Sequence, residues 1–269
     1  MQHNFERGLV LLGCGKMGSA MLAGWLQAGV DPKTIYAVDP FPSEWLQQQG
    51  IHLNTELPKA PDLVLIAVKP QMMTDALPAL TAMGNSDTVF LSVAAGISIT
   101  TYQGILGDQT PIIRAMPNTP AAIGQGITAL IGNSSTHSKQ LEMAEDLLAV
   151  IGQVVHLQTE AQMDAVTGVS GSGPAYVFHM IETLAKAGAA QGLSPDLAMQ
   201  LAKATVAGAG ALAMHSNETP EQLRINVTSP NGTTQAGLDV LMDTDTGLAP
   251  LIDKTVTAAT QRSKELGRG

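Results

Sequence analysis

Over residues 1–160, short apolar runs rich in leucine, isoleucine and valine alternate with longer mixed segments. Seven runs read as strands: Leu9–Leu12, Thr34–Val38, Leu63–Val68, Thr88–Val93, Ile112–Ala115, Ile127–Ile131 and Val154–Leu157. Runs apolar on both faces with helices between them imply a parallel sheet covered on both sides, an α/β domain. Past residue 160 the strand signal stops and helix punctuation takes over. Ser172-Gly-Pro174 opens a helix that Gly192 ends, Ser194-Pro195-Asp196 opens the next, and Thr219-Pro220-Glu221 a third. Leu248, Leu251, Ile252, Val256 and Ala259 then share one face of a last helix. The expected organisation is an α/β domain over 1–160 and an all-helical domain over 161–269.

Composition and charge sharpen this picture. Aromatic residues make up 3% of the chain, and the late helices are rich in alanine and glycine, as in Ala204–Ala213. About a hundred such residues bury little apolar area, so the helical domain is expected to be completed by a second copy of itself. The net charge of −9 disfavours nucleic acid and anionic membranes as partners. The longest apolar run, Leu63–Val68, is too short to cross a bilayer. A single cysteine, Cys14, excludes an internal disulfide and a multi-cysteine metal site, and the expected compartment is the cytoplasm. No metal is expected either, because His3, His52, His137, His156, His179 and His215 show no ligand spacing.

The clearest chemistry lies at the start. The first strand runs into Gly13-Cys14-Gly15-Lys16-Met17-Gly18 and then a helical segment. In a dinucleotide loop, Gly13 makes the tight turn, Gly15 admits the pyrophosphate and Gly18 lets helix pack on sheet. The helix start offers N–H groups to phosphate, and Lys16 adds positive charge. Asp39, at the end of the second strand, is placed to bind adenosine ribose hydroxyls, which favours NADH. Against a 2′-phosphate it is repulsive by about 4 kcal/mol at about 4 Å in an effective dielectric near 20, falling to about 1 if solvent and side-chain rotation intervene. The choice between NADH and NADPH stays open at this point. The α/β domain is therefore expected to be Rossmann-type.

A second site reads as anion-binding. Ser229-Pro-Asn-Gly232-Thr233-Thr234 leads into an amphipathic segment with Leu238 and Leu241. A helix start with N–H groups at Gly232 and Thr233, and hydroxyls at Ser229, Thr233 and Thr234, suits a carboxylate without any cationic side chain. Gly168-Val-Ser170-Gly-Ser172 only superficially resembles a nucleophile elbow.

Together with Ala67-Val-Lys-Pro70, Ser92–Gly96, Ile113–Pro120, Gly168–Tyr176 and Val227–Thr234, this ordered set resembles pyrroline-5-carboxylate reductase over roughly residues 9–266. The resemblance implies a Rossmann domain and an interlocking helical domain, in dimers or larger rings. It also implies NADH- or NADPH-dependent reduction of the cyclic imine Δ1-pyrroline-5-carboxylate to L-proline, at a site shared between one subunit's nucleotide domain and its partner's helical domain. By the same resemblance, Ala67, Val68, Lys69 and Pro70 line the adenosine or ribose side with Asn54 nearby, and Met116, Pro117 and Asn118 approach the nicotinamide. Thr234 is the candidate for a catalytic hydrogen bond near the ring nitrogen or the carboxylate. Three residues depart from the family pattern: Asn231 in place of glycine, Lys16 in place of asparagine, and Asp39 where many relatives suit a 2′-phosphate. Two other readings remain. A β-hydroxyacid dehydrogenase would want a lysine acid, for which Lys186 is the only candidate on its helix, and a non-catalytic dinucleotide-binding protein would have no need of the anion loop.

Overall fold

The computed structural model describes residues 5–267, apart from the side chain of Thr74. The order is β1 (Leu9–Leu12), α1 (Lys16–Gln27), β2 (Ile35–Val38), α2 (Glu44–Gln47), β3 (His52–Leu53), β4 (Leu63–Ile66), α3 (Met73–Ala76), β5 (Val89–Ser92) and α4 (Ile99–Leu106). Then come β6 (Ile112–Met116), β7 (Gly126–Gly132), α5 (Ser138–Ala149), β8 (Gly152–His156) and α6 (Gln162–Val166). The helical remainder is α7 (Gly173–Ala190), α8 (Pro195–His215), α9 (Pro220–Asn226), α10 (Thr233–Leu241) and α11 (Leu248–Leu266).

The eight strands form one sheet in the order β3-β2-β1-β4-β5-β6-β7-β8. Alternation along β1 separates two cores. Leu9 and Leu11 join Met21, Leu22 and Trp25 under α1, whereas Val10 and Leu12 join Phe90, Leu77 and Tyr102 on the other face. Trp25 Nε1 donates to Leu147 O at 2.9 Å, tying α1 to α5. The buried Tyr102 hydroxyl pairs with Ser92 Oγ, and burial pushes its pKa up to about 12.

All seven expected strands are present, with ends shifted by a residue or two. Two features differ from the expectation. The two-residue β3 is an additional edge strand. β7 runs antiparallel to β6, because the segment between them holds only a short 3₁₀ turn, Thr119–Ile123, whereas a parallel return needs about a dozen residues of crossover or more.

The chain divides into two compact units, Met1–Gly171 with Ala259–Gly269, and Ser172–Ala258, against an expected junction at residues 160 and 161. Charged side chains hold residues 160–171 to the sheet unit. Arg114 on β6, its side chain 8% exposed, donates from Nη1 to Glu160 Oε1 at 2.8 Å. The same oxygen accepts Ile99 N–H at the start of α4, and Ser263 Oγ donates to Asp164 Oδ1 at 2.7 Å. Glu160→Ala strands the Arg114 guanidinium and leaves Ile99 N–H without its acceptor, while Ser98 Oγ still caps Thr101 N–H. Discounted for the partial exposure of Glu160, the expected loss of stability is about 2–3 kcal/mol by urea unfolding.

In the second unit Ser194 Oγ caps Leu197 N–H, Thr219 Oγ1 caps Gln222 N–H, and proline sits in the first turn of α7, α8 and α9. Its buried apolar core consists of Ala185, Ala198 and Ala202, while Phe178 (62%), Leu201, Leu212 (56%) and Leu251 are exposed. Among the described residues, α8 is long and apolar enough to cross a membrane. A search for unbroken apolar runs overlooks it, because alanine and glycine dilute its leucines.

Candidate active site

β1 ends at Leu12, and Gly13 turns the chain with φ +86°. A Cβ at Gly13 would lie 2.7 Å from Val68 Cγ1 and 3.0 Å from Val68 N, so glycine lets the loop rest on the end of β4. A Cβ at Gly18 would lie 2.6 Å from Gly13 O, so this glycine closes helix onto turn. Gly15 differs, because nothing lies within 4 Å of the place a Cβ would take. α1 has no side-chain cap at Gly15 and no acid in its first turn, so its leading N–H groups stay available to an anion. The open space at this helix start is room that a side chain at position 15 would fill. Lys16 is exposed and Met17 half-buried at the same helix start. Cys14 is buried, its Sγ 3.5 Å from Ser19 Oγ, and burial pushes the thiol pKa up, which suits packing rather than nucleophilic chemistry.

Asp39 directly follows β2. Its Oδ2 accepts Cys14 N–H at 2.8 Å and its Oδ1 accepts Phe41 N–H at 2.8 Å. Asn54, in the left-handed conformation at φ 53°, spends its side-chain amide on the Asp39 backbone: Oδ1 accepts Asp39 N–H and Nδ2 donates to Asp39 O. Asn54 therefore acts by holding Asp39. Ala67 continues β4, its N–H bonded to Leu12 O at 2.8 Å, followed by half-buried Val68, exposed Lys69, and Pro70 opening a 3₁₀ turn. The order β2-β1-β4 puts these residues and the glycine loop at the strand ends where the sheet reverses direction of build, the place where open α/β sheets bind nucleotides.

At the end of β6, Met116 is half-buried and Pro117 buried. Asn118 Oδ1 accepts Ile127 N–H at 3.0 Å, and its Nδ2 donates to Ser170 Oγ at 3.4 Å. A Cβ at Gly171 would lie 2.5 Å from Met116 Cε. The run Thr167–Gly171 is π-helical, follows directly on α6 and is not the strand–turn–helix of a nucleophile elbow. Sequence reasoning did not place Ser170 and Gly171 beside Met116 and Asn118; the run of small residues before Pro174 was the only signal. An apolar cavity of about 380 Å³ adjoins Ser170, lined by Ile127, Ala129, Val155 and Val169. A wider cavity of about 730 Å³, beside the Arg7–Asp62 ion pair, opens at the other end of the strands and has no part in this chemistry.

In the helical unit, Gly232 is the N-cap of α10 and no side chain caps the helix. Asn231 adopts φ 57°, so the loop keeps the left-handed turn without glycine. A Cβ at Gly232 would land on Ser229 Oγ. One expectation needs correction: Gly232 N–H is taken by Ser229 O at 3.0 Å, so Gly232 clears space and the leading N–H groups belong to Thr233 and Thr234. Ser229, Thr233 and Thr234 are exposed.

Other polar groups are engaged elsewhere. Lys186 is exposed and pairs with Glu182. His156 bonds Glu145, His179 bonds Glu182, His215 bonds Ala211 O, His52 stacks on Tyr36 and His137 caps α5. His3 lies outside the described residues. Among the described residues, no group of three or more His, Cys, Asp or Glu side chains is arranged to hold a metal.

Comparison with known proteins adds independent findings. Residues 160–266 match the family model for pyrroline-5-carboxylate reductase dimerisation, and residues 9–96 match that for NADP oxidoreductase, coenzyme F420-dependent. Pyrroline-5-carboxylate reductase from Pseudomonas aeruginosa is 37% identical, with 96% of each chain covered. The Synechocystis enzyme of the same name is 40% identical over 97% of this chain and 98% of its own. The Coxiella burnetii pyrroline-5-carboxylate reductase structure superposes with a TM-score of 0.90 at 31% identity, covering 98% of this chain and 99% of the other. The Plasmodium falciparum pyrroline carboxylate reductase structure, with NADP bound, gives 0.86 at 28% identity, covering 98% and 100%. Glycine loop, uncapped α10 start and full-length likeness agree: the chain belongs to the pyrroline-5-carboxylate reductase family.

Proposed function

We propose that this protein reduces Δ1-pyrroline-5-carboxylate to L-proline with NADH or NADPH. The observation that carries the reading is the uncapped, exposed start of α10, framed by Ser229, Gly232, Thr233 and Thr234, in a chain that also holds a dinucleotide cradle at Gly13–Gly18. Dinucleotide-dependent reduction of a carboxylate-bearing substrate accounts for both features, whereas a simple nucleotide sensor accounts for only one.

The reaction adds a hydride to the C=N carbon and a proton to nitrogen. The bound dinucleotide supplies the hydride. An imine protonated in solution already carries its proton, so hydride addition neutralises charge and the chain need not provide a strong acid. Its own residues hold and orient. Thr233 and Thr234 N–H groups take the substrate carboxylate at the positive end of α10. The Gly15 cradle takes the pyrophosphate, and Met116, Pro117 and Asn118 border the nicotinamide end, with Asn118 fixed by Ile127 and Ser170. Fixing both reactants in this way is how positioning lowers a barrier. We assign Thr234 Oγ1 a hydrogen bond to the carboxylate or ring nitrogen. Thr234→Val removes a bond to a charged group worth about 1.5–3 kcal/mol, so kcat/KM is expected to fall about ten- to hundredfold with the fold unchanged. Unaltered kinetics would end that assignment.

The same reading makes the protein a homodimer or larger homo-oligomer through its helical unit, in which α8 and α11 present leucines that the three-alanine core leaves uncovered. The apolar length of α8 is thereby assigned to a second copy rather than to a lipid bilayer. A cytoplasmic location fits a chain whose one cysteine is free and buried.

The direct test follows the loss of reduced-nicotinamide absorbance with the imine and each cofactor, with proline measured as product. Turnover on the imine and none on β-hydroxyacids is expected. Turnover on hydroxyacids alone would favour a β-hydroxyacid dehydrogenase, against which Lys186 already stands, being tied to Glu182 on an exposed helix face.

A further inference from the structure

Resting on the dinucleotide reading above, we infer that the adenosine end of this cofactor site selects NADH over NADPH, through a carboxylate at Asp39 that cannot turn away and an adenine platform at Phe41. Cofactor choice depends on whether the group facing the ribose 2′-position repels or accepts a phosphate. A carboxylate on a mobile side chain is a weak barrier, since it can rotate into solvent. Here that escape is closed. Oδ2 is held by the N–H of Cys14, inside the glycine loop, and Oδ1 by the N–H of Phe41, each at 2.8 Å. The backbone behind it is clamped on both polar atoms by Asn54, with Asp39 N–H donating to Oδ1 at 2.9 Å and Nδ2 donating to Asp39 O at 2.8 Å. Swinging the carboxylate aside breaks bonds to both the phosphate loop and the following turn.

The surrounding charge points the same way. From Asp39 through Pro58 the sequence contains Asp39, Glu44 and Glu56 but no lysine or arginine. The turn that follows Asp39 therefore offers a 2′-phosphate no cation of its own, the next lysines in sequence being Lys59 and Lys69. His52, its one histidine, is turned to other work, stacked on Tyr36 with Nε2 bonded to Lys33 O.

Phe41 explains the rest of the subsite. It is 90% exposed, the most exposed of the large apolar side chains, and its N–H fixes it two residues from the carboxylate that would meet the ribose. Among the described residues, the fold leaves the ring almost wholly uncovered. A flat apolar face beside a ribose-binding carboxylate suits an adenine base, which stacks on aromatics whatever the sugar carries.

Isothermal titration of the purified full-length protein with NADH and with NADPH, without imine, tests this apart from turnover. One carboxylate held near a 2′-phosphate predicts NADH binding about a hundredfold tighter. Asp39→Asn keeps an acceptor for Cys14 N–H but removes the charge, and is expected to cut the preference to about tenfold or less, chiefly by tightening NADPH. Phe41→Ala is expected to weaken both dinucleotides alike, by about tenfold. Equal binding of the two, tighter NADPH binding, or binding of neither by the unaltered protein overturns the inference. An NADH-selective protein that fails to reduce the imine would instead overturn the proposed reaction and leave the selectivity standing.

Discussion

Gly15→Val is expected to abolish dinucleotide binding and turnover while leaving the protein folded. The separation of the two effects comes from the three glycines of one loop. Substitution at Gly13 or Gly18 drives a Cβ into Val68 or into Gly13 O, so either change distorts β1 and α1. Gly15 has open space where its side chain would stand, and nothing in the chain is displaced. What valine occupies is the room left for pyrophosphate at the uncapped start of α1. Loss of at least two N–H bonds to phosphate, each worth about 1.5 kcal/mol or more, weakens binding by over about a hundredfold. Titration calorimetry gives the affinity, and thermal melting without ligand shows that the fold is kept. A Gly15→Val protein binding either dinucleotide normally would remove the loop from the site.

The second large effect is expected at the helical unit. Leu197, Leu201 and Leu212 of α8 all stand exposed on one stripe of the helix, while Ala198 and Ala202 are the residues it buries. An exposed leucine costs a folded monomer nothing to replace, so Leu201→Glu or Leu212→Glu leaves an isolated chain nearly unaffected. In a two-fold dimer each substitution counts twice. An unpaired carboxylate in an apolar interface at about 2 kcal/mol per copy amounts to about 4, weakening association about a thousandfold. Sedimentation velocity at micromolar protein is expected to show monomers, thermal melting a lowered midpoint, and the imine assay lost reduction. A stable, active monomer of the unaltered protein would contradict the assembly.

Legibility from the sequence followed the distance over which each cause acts. β1, β4 and β5 were readable because strands buried on both faces are apolar throughout. The glycine loop was readable because turn, approach and packing are needs of neighbouring residues. β3 escaped notice because two residues, His52 and Leu53, carry no pattern, and the reversal of β7 because apolar periodicity does not encode strand direction. Residues 161–171 read as helical and so were grouped with the helices. Arg114–Glu160 and Asp164–Ser263, pairs formed across 46 and 99 residues, bind them to the sheet unit, and no local signal announces such pairs. Asn118 and Ser170 meet across 52 residues for the same reason. At the anion loop the residues were legible but one donor was not, because the turn that lifts Asn231 into the left-handed region also consumes the Gly232 N–H.

On this reading a helix start without a cationic side chain holds the substrate carboxylate. A crystal structure of the protein with proline and an oxidised dinucleotide tests it most directly. The proline carboxylate is expected within hydrogen-bond distance of Thr233 and Thr234 N–H at the start of α10. Proline bound elsewhere, or its carboxylate held by a lysine or arginine with the α10 start empty, would contradict it.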